Sequence, residues 1–289
     1  MVHQAGTFPL GSRAVRRIGF GAMQLPGPGV LGPPPDRDRA VEVIRRAVEL
    51  GVDHIDTAQY YGPDVANELL REALHPYPDG LVIVSKVGEV RDEGGAWLPA
   101  DRPEQLRQGV LDNLRTLGVD RLSAVNLRLA DPVPGRSAVG FDEQLDAMIA
   151  IRREGLIGGI GLSNVTLDQL LRAVERTEIV CVQNPLNILD RSSMPLLDAC
   201  RQRGIAFVPF YPLGSGSSPL LTHRAVAGAA GRLGATPAQV ALAWLLALAP
   251  NTLLIPGTRT VAHLEENLAA GSLTLDAETL ADLTAADPS

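Results

Sequence analysis

Cysteine is scarce in this 289-residue sequence: only Cys181 and Cys200 occur, far apart and in no CxxC pair. They offer no metal or redox motif and suit a reducing cytoplasm, the expected location. No run of about 18 uncharged apolar residues is present, so no membrane span is expected. The opening Met1-Val-His-Gln-Ala-Gly6 has neither a basic segment nor an apolar signal core. Positive charge is also short. With 26 Lys+Arg against 33 Asp+Glu the net charge is −7, which argues against nucleic acid as a main partner and leaves room for a local phosphate pocket. Missing too is the Gly-x-Gly-x-x-Gly turn that an open dinucleotide-binding sheet wants after its first strand. Here Gly27-Pro-Gly29 lies among prolines and opens no helix.

What is present is a period. An apolar fraction of 45% supplies one large core. After a hairpin expected over 7–20, strand-like runs at 17–23, 54–58, 81–87, 122–129, 158–162, 179–183, 206–210 and 252–255 alternate with helical runs. The helical runs fall at 36–50, 65–74, 103–117, 141–154, 167–176, 194–203, 223–233 with 237–248, and 261–269. Such alternation means a parallel sheet, and eight units in this length favour a closed barrel. The expected fold is therefore α/β: one (β/α)8 TIM barrel over residues 1–289, with an N-terminal β-hairpin and a C-terminal extension carrying a short helix near 277–285.

In such barrels function gathers at the C-terminal ends of the strands. Asp56 and Tyr61 follow the second strand, and Lys86 ends the third. A phenol is a poor acid at neutral pH, with an unperturbed pKa of about 10. An ammonium beside it stabilises the phenolate, and a carboxylate holds that ammonium in place, so the three together make a general acid for a developing alkoxide. Ser163, Asn164, Gln183, Phe210, Tyr211 and 257–260 fall at the same rim. Taken singly, each has a plainer explanation: a solvent-facing lysine, a turn-forming aspartate, a packing tyrosine, a helix cap at Ser163-Asn164. Their joint appearance at one rim favours the functional one.

Asp56-Thr-Ala-Gln-Tyr-Tyr-Gly62, Ser85-Lys86, Gly161-Leu-Ser-Asn164, Val182-Gln-Asn184 and Ile255-Pro-Gly-Thr258 with Glu265-Glu-Asn267 together resemble the aldo/keto reductase pattern over nearly the whole chain. Gly21-Ala-Met-Gln24, Leu31-Gly-Pro-Pro34 and Val125-Asn-Leu-Arg128 look like the bacterial branch that includes NADPH-dependent pyridoxal reductase. The resemblance implies Tyr61 as general acid, Lys86 as its pKa-lowering neighbour and Asp56 as the partner of Lys86. It implies Ser163, Asn164 and Gln183 at the nicotinamide carboxamide, Phe210 stacked on that ring, and Tyr211, Leu213 and Ser215 along the pyrophosphate. Gly21 and Gly257 would line the cofactor, Thr258, Arg259 and His263 would meet the 2′-phosphate, and Glu266 and Asn267 the adenine. The bowl would be shaped by Met23, Gln24, the loop 26–35, Trp97 and the long segment after Phe210, with Asn126 also expected to meet the substrate.

Two departures stand out. Where relatives end the fourth strand with a histidine, this chain has Arg128, with Asn126 two residues earlier on the same face. Arginine donates several hydrogen bonds and could polarise a carbonyl, bind an anionic or phenolate oxygen, or form a structural ion pair. The second is Pro185-Leu186, where relatives carry an acid and a tyrosine. The expected function is NADPH-dependent reduction of a small aldehyde or ketone, pyridoxal-like aldehydes first. The alternatives are an NADPH-sensing regulatory subunit and an alcohol or sugar dehydrogenase running oxidatively. No metal is expected, and the chain is expected to act as a monomer or weak homo-oligomer.

Overall fold

A computed structural model describes residues 2–130, 139–214 and 218–287. The chain opens with an antiparallel hairpin, β1 (Thr7–Leu10) and β2 (Arg13–Arg16). Then follow β3 (Phe20–Gly21), α1 (Arg37–Glu49), β4 (His54–Asp56), α2 (Val65–Leu74) and β5 (Val82–Val87). A second hairpin, β6 (Glu89–Arg91) and β7 (Trp97–Pro99), precedes α3 (Pro103–Leu117) and β8 (Leu122–Arg128). The remaining units are α4 (Phe141–Arg153), β9 (Ile157–Ser163), α5 (Leu167–Arg176), β10 (Ile179–Gln183), α6 (Met194–Arg203) and β11 (Ala206–Phe207). Helices α7 (Arg224–Leu233), α8 (Pro237–Leu248), α9 (Val261–Ala269) and α10 (Ala277–Thr284) complete it.

Seven parallel strands run in the order β11-β10-β9-β8-β5-β4-β3. The eighth position closes the ring through backbone pairing alone. Leu254 N–H donates to Arg17 O at 2.8 Å and Gly19 N–H to Leu254 O at 2.8 Å on one side. On the other, Leu253 N–H donates to Phe207 O at 2.9 Å and Phe207 N–H to Asn251 O at 2.8 Å. The expected barrel is borne out, with shorter strands at the seam. Pro209 and Pro256 lack the N–H that a ladder needs, which is why the seventh strand stops at Phe207 and the eighth is reduced to bridges at Thr252 and Leu254. The second hairpin was not anticipated, although Asp92-Glu-Gly-Gly95 is a turn-forming string.

Strand alternation sorts the apolar residues into two cores. Ile83, Val125, Leu127, Leu162, Val182 and Phe207 face outward and pack under the helices. Val82, Val84, Ala124, Cys181, Ala206 and Leu253 face inward, and Leu10 and Val15 of the first hairpin join them to plug the barrel floor. Glycine is required at position 161, where any Cβ would overlap the Asn126 side chain and sit 2.6 Å from Cys181 Sγ. Both cysteines are buried and free, and burial pushes the Cys200 thiol up to about 12. The C-terminal extension docks by Trp244 Nε1–H donating to Thr284 Oγ1 at 3.0 Å and Arg191 Nη2 to Ala286 O at 2.8 Å. No helix among the described residues is long and apolar enough to cross a membrane.

Candidate active site

The inward register of β5 runs Val82, Val84, Lys86, so the lysine is the last inward residue and surfaces at the barrel mouth. It is the only lysine in the sequence, and it is buried. Asp56 ends β4 beside it. Their ion pair is direct, and Lys86 Nζ also donates to Thr57 O at 3.0 Å. The second carboxylate oxygen of Asp56 accepts from Gln183 Nε2 at 2.9 Å, which ties β10 to the same group. Lys86 Nζ lies 4.9 Å from the centroid of the Tyr61 ring.

Tyr61 sits in the turn between β4 and α2. Its N–H donates to Ala58 O at 3.1 Å, and Gly62, with φ of 76°, lets the chain double back. A Cβ at Gly62 would press on Pro26 at 2.7 Å, so only glycine fits there. A buried polar network holds this turn from behind. Thr57 Oγ1 donates to Asn67 Oδ1 at 2.8 Å, and Asn67 Nδ2 donates to Asn113 Oδ1 at 3.0 Å and Thr116 Oγ1 at 2.9 Å.

Burial raises the Tyr61 hydroxyl above the ordinary phenol value, against the pull of Lys86, which lowers it. Lys86 thus pulls in the expected direction, but desolvation of the phenolate outweighs the neighbouring ammonium. The phenol stays neutral and able to donate. Lys86 behaves in the opposite sense. Burial lowers it, but Asp56 and Tyr61 outweigh burial and leave the ammonium held above its usual range.

These groups open on a cavity of about 590 Å³. Asp56, Tyr61, Lys86 and Arg128 line it, as do Gly21, Met23, Trp97, Gln183, Phe210, Tyr211, Leu213 and Gly257. So do Tyr60 and Glu89, which the sequence did not single out. Glu89 accepts from Arg128 Nε at 2.9 Å, and Arg128 Nη1 donates to Ser163 Oγ at 3.3 Å. Arg128 is thus ion-paired and cavity-lining at once. The signal for Glu89 was its place three residues past Lys86, at the same strand end.

Other expected residues lie away from the cavity wall. Asn126 is fully buried, two residues and about 6.6 Å lower on β8, accepting from Cys181 Sγ at 3.2 Å. It belongs to the barrel filling, not to the substrate wall, and that expectation is corrected. Ser163 is turned to Arg128, and Asn164, with φ of 59°, donates to Leu129 O at 3.1 Å. Thr258, Arg259 and His263 gather just past Gly257, where α9 begins. Thr258 Oγ1 accepts from Thr260 N–H at 3.2 Å, Arg259 Nε donates to Gln24 O at 2.6 Å, and His263 N–H donates to Thr260 Oγ1 at 3.2 Å. Glu266 and Asn267 follow on α9, where the Glu266 carbonyl accepts from Gln239 at 3.2 Å and Asn267 is buried. Ser215 lies outside the described residues.

A buried neutral phenol, a paired ammonium and a carboxamide around one cavity can place and protonate a carbonyl oxygen. Comparison with known proteins identifies the family. The model of the aldo/keto reductase family matches residues 17–288. Pyridoxine 4-dehydrogenase of Escherichia coli (strain K12) is 51% identical over 280 residues, 96% of this chain and 97% of that protein. An uncharacterised oxidoreductase of Schizosaccharomyces pombe is 41% identical, over 97% of this chain and 89% of that one. Among solved structures, a thermostable aldo-keto reductase in complex with the inhibitor epalrestat superposes with a TM-score of 0.80 at 31% identity, covering 96% of this chain and 98% of that one. An aldo-keto reductase from Klebsiella pneumoniae in complex with NADPH gives 0.79 at 27%, covering 96% and 93%.

Proposed function

The chain belongs to the aldo/keto reductase family, and from that membership we propose that it uses NADPH to reduce the carbonyl of a small aldehyde or ketone, a pyridoxal-like aromatic aldehyde first. The observation that carries the reading is the meeting of Tyr61, Lys86 and Asp56 at one end of a cavity that also holds Gln183 and Phe210. The half-identical relative named for pyridoxine supports this choice of substrate class. Oxidation of pyridoxine to pyridoxal and reduction of pyridoxal are two directions of one reaction, so the oxidative alternative is the same site run backwards.

The donor set fits a nicotinamide dinucleotide. The cavity continues from Gln183 past Phe210–Gly214 to Ile255–Gly257, segments that carry no acidic side chain to repel a phosphate. Tyr211 and Gly214 have φ of 52° and 80°, which turns this wall into a loop. We assign Gln183 to the carboxamide, Phe210 to the nicotinamide face, and Thr258, Arg259 and His263 to the 2′-phosphate. When bound, the cofactor supplies hydride. The protein then does three things. Gln183, anchored on Asp56, fixes the ring orientation. Tyr61 donates its proton as negative charge develops on the carbonyl oxygen. Lys86, unable to leave Asp56 and Thr57, stabilises the phenolate that remains.

The test is loss of NADPH absorbance with pyridoxal, aromatic aldehydes, keto sugars and small diketones. Pyridoxal or a related aryl aldehyde should show the largest kcat/KM. A protein that consumes no NADPH with any of them is not this enzyme.

The roof of the cavity gives another prediction. Arg91 Nη1 and Nη2 donate to Val30 O and Gly29 O, both at 3.0 Å, and its Cζ lies 4.0 Å from the Trp97 ring centroid. One side chain thus ties the loop 26–35 to the second hairpin. Arg91→Ala should raise the KM for the aldehyde on the order of tenfold, equivalent to about 1.4 kcal/mol of binding, with a smaller change in kcat. Steady-state kinetics check it, and a fall in kcat at constant KM would refute the roof.

A further inference from the structure

Glu89 takes no part in the proton-transfer group, yet it is buried at the cavity and engages Arg128. Its carboxylate holds Nε, and Ser163 Oγ holds Nη1. The third nitrogen, Nη2, has no hydrogen-bond partner among the described residues. Arg128 Cζ also lies 5.4 Å from the Phe210 ring centroid, so the guanidinium rests against the aromatic that lines the cavity. Beside it the Tyr60 hydroxyl is buried with no partner among the described residues, in the wall of the same cavity.

Asp56 with Lys86 and Glu89 with Arg128 are two compensated pairs, so the wall carries no net charge from these four groups. A fixed guanidinium whose Nη2 is uncommitted among the described residues, next to an unpartnered phenol, is a receptor for an oxygen that can carry negative charge. That oxygen must lie beside the carbonyl that faces Tyr61. On a planar aryl aldehyde the ring position next to the aldehyde puts two oxygens side by side in this way.

Building on the aldehyde-reductase reading, we infer that Arg128, positioned by Glu89, makes the site selective for aryl aldehydes with an ionisable hydroxyl ortho to the carbonyl. Arg128 donates to that oxygen while Tyr61 protonates the carbonyl oxygen. Glu89 is a positioning residue: it fixes the guanidinium so that Nη2 points to substrate and not to solvent.

NADPH oxidation is measured with 2-hydroxybenzaldehyde, 4-hydroxybenzaldehyde, 2-methoxybenzaldehyde and benzaldehyde, for the native protein and for Arg128→His, Glu89→Ala and Glu89→Gln. The native protein should favour the 2-hydroxy isomer over benzaldehyde by at least about tenfold in kcat/KM, the scale of one charge-assisted hydrogen bond. The 2-methoxy compound, which cannot ionise, should gain nothing. Histidine at 128 keeps a donor for the carbonyl, so its absolute rates are free to fall, but the 2-hydroxy preference should shrink at least about fivefold. Comparing the ratio between proteins cancels the intrinsic reactivity of each aldehyde. Glu89→Ala should raise the KM for the 2-hydroxy isomer more than that for benzaldehyde, and Glu89→Gln, which can still accept from Nε, should restore most of the difference. An unchanged ratio in Arg128→His overturns the inference, as does an equal loss with all four aldehydes in the Glu89 variants. Turnover by the native protein without ortho preference overturns the inference alone, whereas no turnover of any carbonyl overturns the reductase reading with it.

Discussion

Tyr61→Phe is expected to bind NADPH as the native protein does and to lose about 10²- to 10⁴-fold in kcat, the range a positioned general acid contributes. The ring is retained, so its edge-on contact with Tyr60, centroids 5.4 Å apart, survives and the fold has no reason to change. What goes is the proton. Burial keeps the native phenol above its ordinary pKa of about 10, so the acid is protonated throughout the neutral range. Reduction by the native enzyme should therefore be flat in pH until well above 9, then fall as pH passes through the raised value. The variant should lack that alkaline limb. NADPH binding followed by fluorescence and single-turnover reduction across pH check both parts. A variant that turns over at the native rate would mean that another group gives the proton, with the neighbouring Tyr60 hydroxyl the first suspect.

How much of this was legible in the sequence depends on which physical signal each residue left. Asp56 and Lys86 could be placed because strand period and barrel topology together fix where strand ends go, and both sit on strand ends. Tyr61 followed from its distance past the strand. The helices were readable because their caps are local: Thr166 and Thr236 form capping boxes with Gln169 and Gln239, and Asp36 caps α1. The strand ends at the seam were less readable. Pairing there is decided by prolines and by partners far away in the chain, and the run 252–255 carries no sign that only bridges will form.

The site's second half was hidden for a different reason. Glu89 enters on a hairpin whose strands have three residues each, too short to show a period. Asn126 was misplaced because sharing a strand face with Arg128 says nothing about depth, and one step down the strand is enough to leave the cavity. The direction of the Tyr61 shift also needed coordinates. A neighbouring cation is visible in a motif, but the burial that outweighs it is not.

Lys86→Met should be the most destabilising of the single changes considered, by about 3–5 kcal/mol, the cost of stranding a buried charge whose partner has been removed. Asp56 would keep only the Gln183 hydrogen bond, and Thr57 O would lose its donor. The double variant Lys86→Met with Asp56→Asn removes both charges. An asparagine oxygen can still accept from Gln183, so the double variant should recover most of the lost stability and none of the activity. That split separates the two jobs of the pair. Because Lys86 is held above its usual value in the fold, its contribution is present in full below the unfolded lysine pKa of about 10.4 and fades only as pH rises through the higher folded value. The deficit of the single variant should thus be constant from pH 6 to 9, as urea unfolding can measure. The choice of residue points the same way. Every other permanent cation in the chain is arginine, the better surface and phosphate partner. The one lysine occupies the one place where a compact point charge must fit between a carboxylate, a carbonyl and a phenol. If the double variant proves no more stable than the single one, the buried pair is not what holds these strand ends together, and the proton-transfer group loses its scaffold.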